Sequence, residues 1–444
     1  MKTIRIGSGA GYGGDRLEPA IELIRKGNLD YIIFECLAER TIALGQLAKK
    51  HDPKAGYNSL LEYRMKGILE AIKEHPVKVI TNMGSANPQA AAEITAAMAK
   101  DAGLKGLKIA CVSGDDVLGI LPSYMDETVM ETGEPLSSLA DSIVSANAYL
   151  GAPAIVEALK AGADIIITGR VADPSLVVAP LMYEFGWKKD DWDLLGKGTI
   201  AGHLLECAGQ VTGGYFADPG VKDVPDLWNL GFPIAIVGED GSLEITKLED
   251  AGGCVTTDTV KEQILYEIQD PSCYPTPDCC ADFKNVRVEQ LGKDRVGVYG
   301  VSGNPNNGKY KLSIGYQDCW IGEGQISYCG STAKERAELA GEIVKKRLEV
   351  RGCRYSELRI ELMGVNSLYG WEDSSSLREV RLRAAARTAD KANADIIGQE
   401  VEALYTNGPG GGGGATKSSR EVISVASILI PQDAVKTKVE ITEV

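Results

Sequence analysis

Three histidines occur in 444 residues, and one of them stands where an acid–base group would. His203 lies in GTIAGHLLECAGQVTGG (198–214), which reads as a helix, with Glu206 three residues on and Gln210 four beyond that. Positions i, i+3 and i+7 share one helical face. A neutral imidazole beside a carboxylate makes a general base or a metal ligand, and its pKa lies near working pH. The spacing is not HExxH, which excludes the zinc-protease arrangement. The competing assignment is a core histidine paired with Glu206. His51 and His75, beside Lys50 and Pro76, read as surface residues at the ends of helical stretches.

A second cluster is TGRVADPS (168–175), which ends a strand and opens a helix. Arg170 has the fork geometry to clasp a carboxylate or phosphate. Asp173 serves either as an acid–base group opposite His203 or only as a helix cap, since Asp-Pro starts helices routinely. Two glycine-rich stretches add backbone donors. In IRIGSGAGYGGDR (4–16) a strand feeds into Gly9, Gly11, Gly13 and Gly14, then Asp15 and Arg16, before a helix at 17–26. Glycine there permits close approach and φ > 0. The amides and the positive helix end suit an anion, and Asp15 is placed to cap the helix. The spacing Gly9-x-Gly11-x-Gly13-Gly14 is not a clean GxGxxG, it is no Walker loop because no Gly-Lys-Ser/Thr follows, and a tight turn that binds nothing is the alternative. The second stretch, Gly408–Gly414, reads as a linker, a hinge, or a lid loop in which Gly411, Gly412 and Gly413 contact an anion. Flanking strands and the nearby Lys417 and Arg420 favour the last.

These residues need a scaffold, and the first half of the chain alternates strand and helix signals. Apolar runs at 30–37, 77–84, 107–116 and 163–173 are strands, and helices are expected at 57–74, 88–101 and 152–161. Strands of this kind imply a parallel sheet with right-handed crossovers. The polar residues follow the strands: Ser8 to Arg16, Glu35, then Asn82, Gly84 and Ser85, then Gly114 to Asp116 with Asp115 among them, then Thr168 to Asp173. In open α/β sheets ligands bind at that edge, so five strand ends point to one cleft. Glu35 also falls about 20 residues past the glycine turn, where a ribose-binding acid is expected in nucleotide-binding folds. The reading is a Rossmann-like α/β domain over 1–211, with a mainly parallel sheet and helices on both faces. An α+β region with antiparallel strands and the polyglycine loop follows over 212–444. It is expected to hold a hairpin at 233–247, a helix at 256–269, strands at 286–303 and 309–317, a helix at 332–350, another near 376–391, and strands at 421–430 and 435–442.

Composition narrows the partners. A net charge of −15 and a pI near 4.9 argue against nucleic acid and anionic membrane surfaces. No apolar run approaches the ~20 residues of a membrane span, and no secretory signal is visible. A cytoplasmic location is expected. Ten cysteines show no C-x-x-C, and most read as buried thiols, with Cys273, Cys279 and Cys280 the one dense cluster. No metal and no cofactor is assigned.

Several stretches together resemble the acyclic terpene utilisation proteins of the AtuA type: GSGAGYGGDR (7–16), TNMGSANP (81–88), TGRVADPS (168–175), GHLLECAGQVTGGYFADPG (202–220), YPTPDCCADF (274–283) and NGPGGGGGATKSSREV (407–422). The resemblance runs nearly the whole length. It implies a Rossmann-like core and a setting among enzymes that degrade branched unsaturated carboxylic acids or their CoA thioesters. Longer members look as if they carry a C-terminal ferredoxin-fold domain, which implies a small separate subunit of that fold as partner. A homo-oligomer is expected. The activity expected is that of a lyase, a hydratase or hydro-lyase, with His203 or Glu206 moving the proton α to the carbonyl and Asp173 opposing. Arg170 and glycine backbone would hold the substrate's charge. The rivals are a non-catalytic ligand-binding or assembly subunit and a nucleotide-dependent oxidoreductase.

Overall fold

Apolar runs of four to eight residues, too short for helices, become the strands of a central sheet. A computed structural model of the protein describes residues 1–370 and 377–444. The chain forms two compact units, residues 1–315 with 425–444, and residues 316–424. Residues 212–315, assigned from the sequence to the second region, thus belong to the first unit.

The first unit opens with β1 (Thr3–Ala10), α1 (Glu18–Lys26), β2 (Tyr31–Phe34), α2 (Glu39–His51), α3 (Leu61–Glu74), β3 (Lys78–Thr81), α4 (Pro88–Asp101) and β4 (Lys108–Ser113). It continues with β5 (Ile143–Ala148), α5 (Pro153–Lys160), β6 (Ile165–Thr168), α6 (Ser175–Phe185) and α7 (Trp192–Glu206). Strands β1, β2, β3, β6 and β4 lie side by side and all pair in parallel. Ile32, Ile33, Ile80, Ile165, Ile166 and Ile167 are fully buried in them, each contributing roughly 1.5–3 kcal/mol by leaving water. Helices α1, α3 and α4 share one apolar core with the sheet, while α5, α6 and α7 pack in succession on one another.

Strand order carries the consequence for function. The chain advances through β1, β2 and β3, skips one place to β4, then turns back to insert β6. The crossovers from β3 to β4 and from β4 back to β6 run in opposite directions along the sheet, so right-handedness puts them on opposite faces. The carboxyl ends of β3 and β6 flank the split where ligands bind in such sheets.

After α7 the helical crossovers stop. The strands β7 (Pro233–Gly238) and β8 (Leu243–Lys247) form the expected hairpin, and β7 pairs antiparallel with β1. Helix α8 (Thr257–Leu265), β9 (Tyr274–Pro275), β10 (Cys280–Asp282), β11 (Arg287–Gly292), β12 (Arg295–Tyr299) and β13 (Ser302–Asn304) follow. Strands β11 and β12 extend the sheet beyond β8, again antiparallel. The expectation of a mainly parallel sheet is therefore corrected: a parallel centre lies within a ten-stranded mixed sheet. Short loops join only antiparallel neighbours, so the sheet changes sense where the crossovers end.

The second unit is built from β14 (Lys309–Cys329) beyond residue 315, α9 (Ala333–Val350), β15 (Glu357–Met363), β16 (Glu379–Thr388), α10 (Lys391–Glu402), α11 (Leu404–Asn407) and β17 (Gly413–Pro431) up to residue 424. Its sheet runs β15, β16, β14, β17, and β16 is antiparallel to both neighbours. The helix expected near 376–391 is instead β16 over 379–388, and position 376 lies outside the described residues. Val380, Leu382, Ala384 and Ala386 are buried with α9 and α10 while Arg381 and Arg383 point the other way. That is a period of two. The last strand, β18 (Lys438–Glu443), returns to the first unit and closes β4 antiparallel.

Candidate active site

Register builds the site. Phe34 lies opposite Thr81, Thr81 opposite Ile167, and Thr168 opposite Val112. Glu35 and Asn82 therefore leave the sheet side by side. Asn82 Nδ2 donates to Glu35 Oε1 at 2.9 Å, and its Oδ1 accepts from the Cys36 amide at 2.7 Å. The Leu37 amide also donates to Glu35 Oε1, at 2.9 Å. Burial, and then the neighbouring Asp173, pushes the Glu35 carboxyl well above its ordinary range. An oxygen tied to two inward donors in this way suits an internal brace better than a ribose contact.

Asp115, after β4, is likewise internal. Its Oδ2 accepts from the Arg170 amide and from Asn147 Nδ2, both at 2.9 Å. Burial pushes its carboxyl up to about 6. A Cβ on Gly169 would stand 2.3 Å from its Oδ1, so glycine there is what lets the carboxylate reach the β6 loop. The loops after β3 and β6 close on each other at Gly84, where a Cβ would meet Thr168 O at 2.4 Å. Ser85, beside it, is buried with φ +49°.

Arg170 is 1% exposed and its donors are spent inside the protein. Nε and Nη2 donate to Val171 O, Nη1 to Leu37 O, and Nη2 also to Asp173 Oδ1. Its guanidinium lies 4.3 Å over the Tyr149 ring. Arg170 thus holds the β6 loop and the residues after β2 together and positions Asp173. Lys311 Nζ lies 3.2 Å from Glu39 Oε1 at the start of α2. Burial alone would raise Glu39, but Tyr149, its own amide, Lys311 and Arg170 hold it down to about 2. Asp173, whose side chain is 34% exposed, goes the other way. Burial, with the charges of Glu206 and Glu39, outweighs Arg170 and pushes it up to about 7.

Helix α7 reaches this cluster through two glycines. A Cβ on Gly202 would stand 2.6 Å from Pro174 Cα, so the helix can lie directly on the start of α6. A Cβ on Gly11 would stand 2.3 Å from the Cys207 carbonyl carbon and 2.4 Å from Glu206 O. The last turn of α7 is held between the Asp173–Pro174 corner and the glycine turn. It carries His203, wholly buried, with Nδ1 2.7 Å from Glu206 Oε1. A carboxylate only accepts, so Nδ1 bears the proton. His203 Nε2 and Glu206 Oε2 are buried without a partner. Burial alone would lower the imidazole, but the Glu206 carboxylate outweighs it and raises the pKa. Gln263 Nε2 donates to His203 O at 3.0 Å. The helix ends at Glu206 and Gln210 falls in the short turn Ala208–Gln210, so the expected i+7 face is not continued.

Sequence reasoning passed over a support for this corner. Asp278, in the YPTPDCC stretch, accepts from the Ala152 amide at 2.8 Å and the Ser175 hydroxyl at 2.5 Å, fixing the starts of α5 and α6. Cys273 and Cys280 bracket it as a disulfide with Cα atoms 5.4 Å apart, and Cys279 is buried. The Tyr274 and Phe283 rings lie 5.7 and 6.3 Å from the His203 ring. The sequence signals were the density of cysteines and the place of YPTPDCCADF (274–283) among the stretches that carry the family resemblance.

The first glycine turn differs from expectation in its conformation. Gly9, Gly11, Gly13 and Gly14 all have negative or extended φ; what they supply is room. A Cβ would meet the Phe34 ring at Gly9 (2.4 Å), Cys36 O at Gly13 (3.3 Å) and the Tyr12 ring at Gly14 (2.7 Å). Asp15 does not cap α1, whose N-cap is Leu17; its Oδ2 accepts from the Gly11 amide at 2.8 Å. The Arg16 side chain turns away, donating to Trp228 O at 3.0 Å, and lines a separate groove of about 390 Å³ with Trp228 and Asp250.

Gly411, Gly412 and Gly413 lie in the second unit. Gly411 has φ +77°, Arg336 Nη1 holds the Gly410 carbonyl at 2.6 Å, and a Cβ on Gly412 would meet Ile326 at 2.9 Å. The stretch is a fitted turn into β17. Gly411→Ala is expected to lower stability by about 1–2 kcal/mol, the usual cost of a left-handed L-residue. Gly413→Ala, with open space and no positive φ, should change it little. Denaturant unfolding of both variants checks this.

A mixed α/β protein with a cluster of ionisable side chains at the carboxyl edge of its parallel strands is the class these features define. The family model described as acyclic terpene utilisation family protein AtuA matches residues 4–441, and the chain belongs to that family. No curated protein and no solved structure matches the chain. The family description sets the protein in acyclic terpene utilisation. No helix among the described residues is long and apolar enough to cross a membrane.

Proposed function

We propose that the protein is a hydro-lyase acting on a branched or unsaturated carboxylate, or its CoA thioester, within acyclic terpene breakdown. The observation that carries this reading is the His203–Glu206 pair at 2.7 Å with Nε2 left free. Glu206 fixes the tautomer and stabilises the imidazolium, and Nε2 takes the proton α to the carbonyl. Asp173, whose carboxyl is pushed up to about 7, supplies a proton to the β-hydroxyl, which leaves as water. Hydration of the double bond is the same path reversed. One group that can take a proton and one that can give it, in one cluster, fit paired base and acid roles.

The test is exchange in deuterium oxide with a panel of branched 2-enoic and 3-hydroxy acids and their CoA thioesters. One class of substrate should take up deuterium at the α carbon. Failure of every acid and thioester to exchange, with ligand still bound, would sink the enzymatic reading.

A further inference from the structure

A second buried arginine has no part in the chemistry above. Arg64, on α3, is wholly buried. Its Nη2 donates to Asp15 O at 2.9 Å and Tyr12 O at 3.5 Å, and Nη1 lies 3.2 Å from Cys36 Sγ. Its Nε is buried without a partner, and none of the described carboxylates pairs with it. Arg170, equally buried, has Asp173. A buried guanidinium lacking a counter-charge is costly to keep. Cys36 does not supply one, because burial outweighs Arg64 and holds its thiol protonated.

What Arg64 does touch is the underside of the first glycine turn. Every peptide among the described residues is trans, so a carbonyl and the amide joined to it point in opposite directions. Drawing the Tyr12 and Asp15 carbonyls onto the guanidinium turns the Gly13 and Arg16 amides away from it. Neither amide, nor those of Tyr12 and Gly14, has an acceptor among the described residues. The start of α1 follows directly, and its dipole adds positive character at the end of the turn.

We propose that this turn is a phosphate site, with the Gly13, Gly14 and Arg16 amides as donors and Arg64 beneath as the buried counter-charge. Fanned amides over a fixed positive charge match the several oxygens of a phosphate better than a single carboxylate. Arg170 is committed internally, so the turn is where a substrate's charged handle would be taken. Which end of the substrate it holds rests on the reading of His203 and Asp173 as the reacting groups.

Calorimetric titration of the full chain with inorganic diphosphate, coenzyme A and acetate tests this, with hydrogen exchange followed over residues 11–17. Diphosphate should bind and slow exchange in that segment, and acetate should not. Coenzyme A binding as well marks a nucleotide handle; diphosphate alone marks a free phosphate. Arg64→Met should weaken diphosphate at least about tenfold, and Arg64→Lys less, as expected when a charge-assisted partner is removed. No diphosphate binding, protection only elsewhere, equal binding of acetate, or parental affinity in Arg64→Met would each overturn the assignment. If Arg64→Met does not fold, the exchange pattern of the parent decides. Diphosphate has no reacting carbon, so this outcome is independent of α-carbon exchange.

Discussion

His203→Gln is expected to fold, to bind substrate, and to turn it over about 10²–10⁴-fold more slowly, the usual worth of one positioned acid–base group. The side chain is wholly buried with one nitrogen engaged and the other unpartnered. A histidine with a purely packing role would be expected to have both nitrogens satisfied. The amide of glutamine fills similar space but neither takes up a proton nor carries charge. In the parent, rate should fall as pH drops through the imidazole pKa, which Glu206 raises. Measuring kcat and Tm on one preparation separates the roles. A variant that melts early but turns over normally assigns His203 to the core and removes it from the mechanism.

Asp173→Asn is the complementary case. The parent should lose rate as pH rises through about 7, because the protonated carboxyl is the working form. The asparagine variant should be about 10²–10⁴-fold slower below that pH and should lack the alkaline limb. Stability gives a second readout. A carboxyl raised in the folded state favours folding fully below its unfolded value, near 4, and that contribution is lost as pH rises through the folded value, about 7. The Tm of Asp173→Asn relative to the parent should therefore rise between pH 4 and pH 8. A parent whose rate is flat across pH 7, or a relative Tm that does not move, takes the proton from Asp173.

Most helices and strands of the first half, α2 and β5 excepted, were legible because buried parallel strands are continuous apolar runs, and the polar residues after them mark the sheet edge. His203 stood out through rarity and its spacing to Glu206. What pairing does was not legible. The i, i+3 and i+7 pattern extended a helix past Glu206, where the chain tightens and Gln210 leaves the face. Arg170 reads as an anion clasp until its neighbours are known; the carbonyls it binds come from residues 37 and 171. Arg64 carried no local signal, because an arginine on an amphipathic helix normally belongs to the wet face. Strand β16 was missed although VRLRAAAR alternates, since alanine and arginine favour helix and only its neighbours β14 and β15 make the alternation pay. Of the two roles expected for the glycines of the first turn, close approach and positive φ, the fold uses the close approach alone.

The return of the chain to its first unit after residue 424 has a consequence for synthesis. The edge of β4 is closed by β18, and every residue of the second unit must leave the ribosome before that strand exists. At about 5–20 residues per second the nascent protein spends on the order of ten seconds with its most apolar sheet open along one side. An unpaired edge of that kind is a template for foreign strands. Translation speed over 316–437 and chaperone access to β4 should therefore govern yield more than mutations in the second unit's own core, and ribosome-stalled chains ending before β18 should be the species that aggregate.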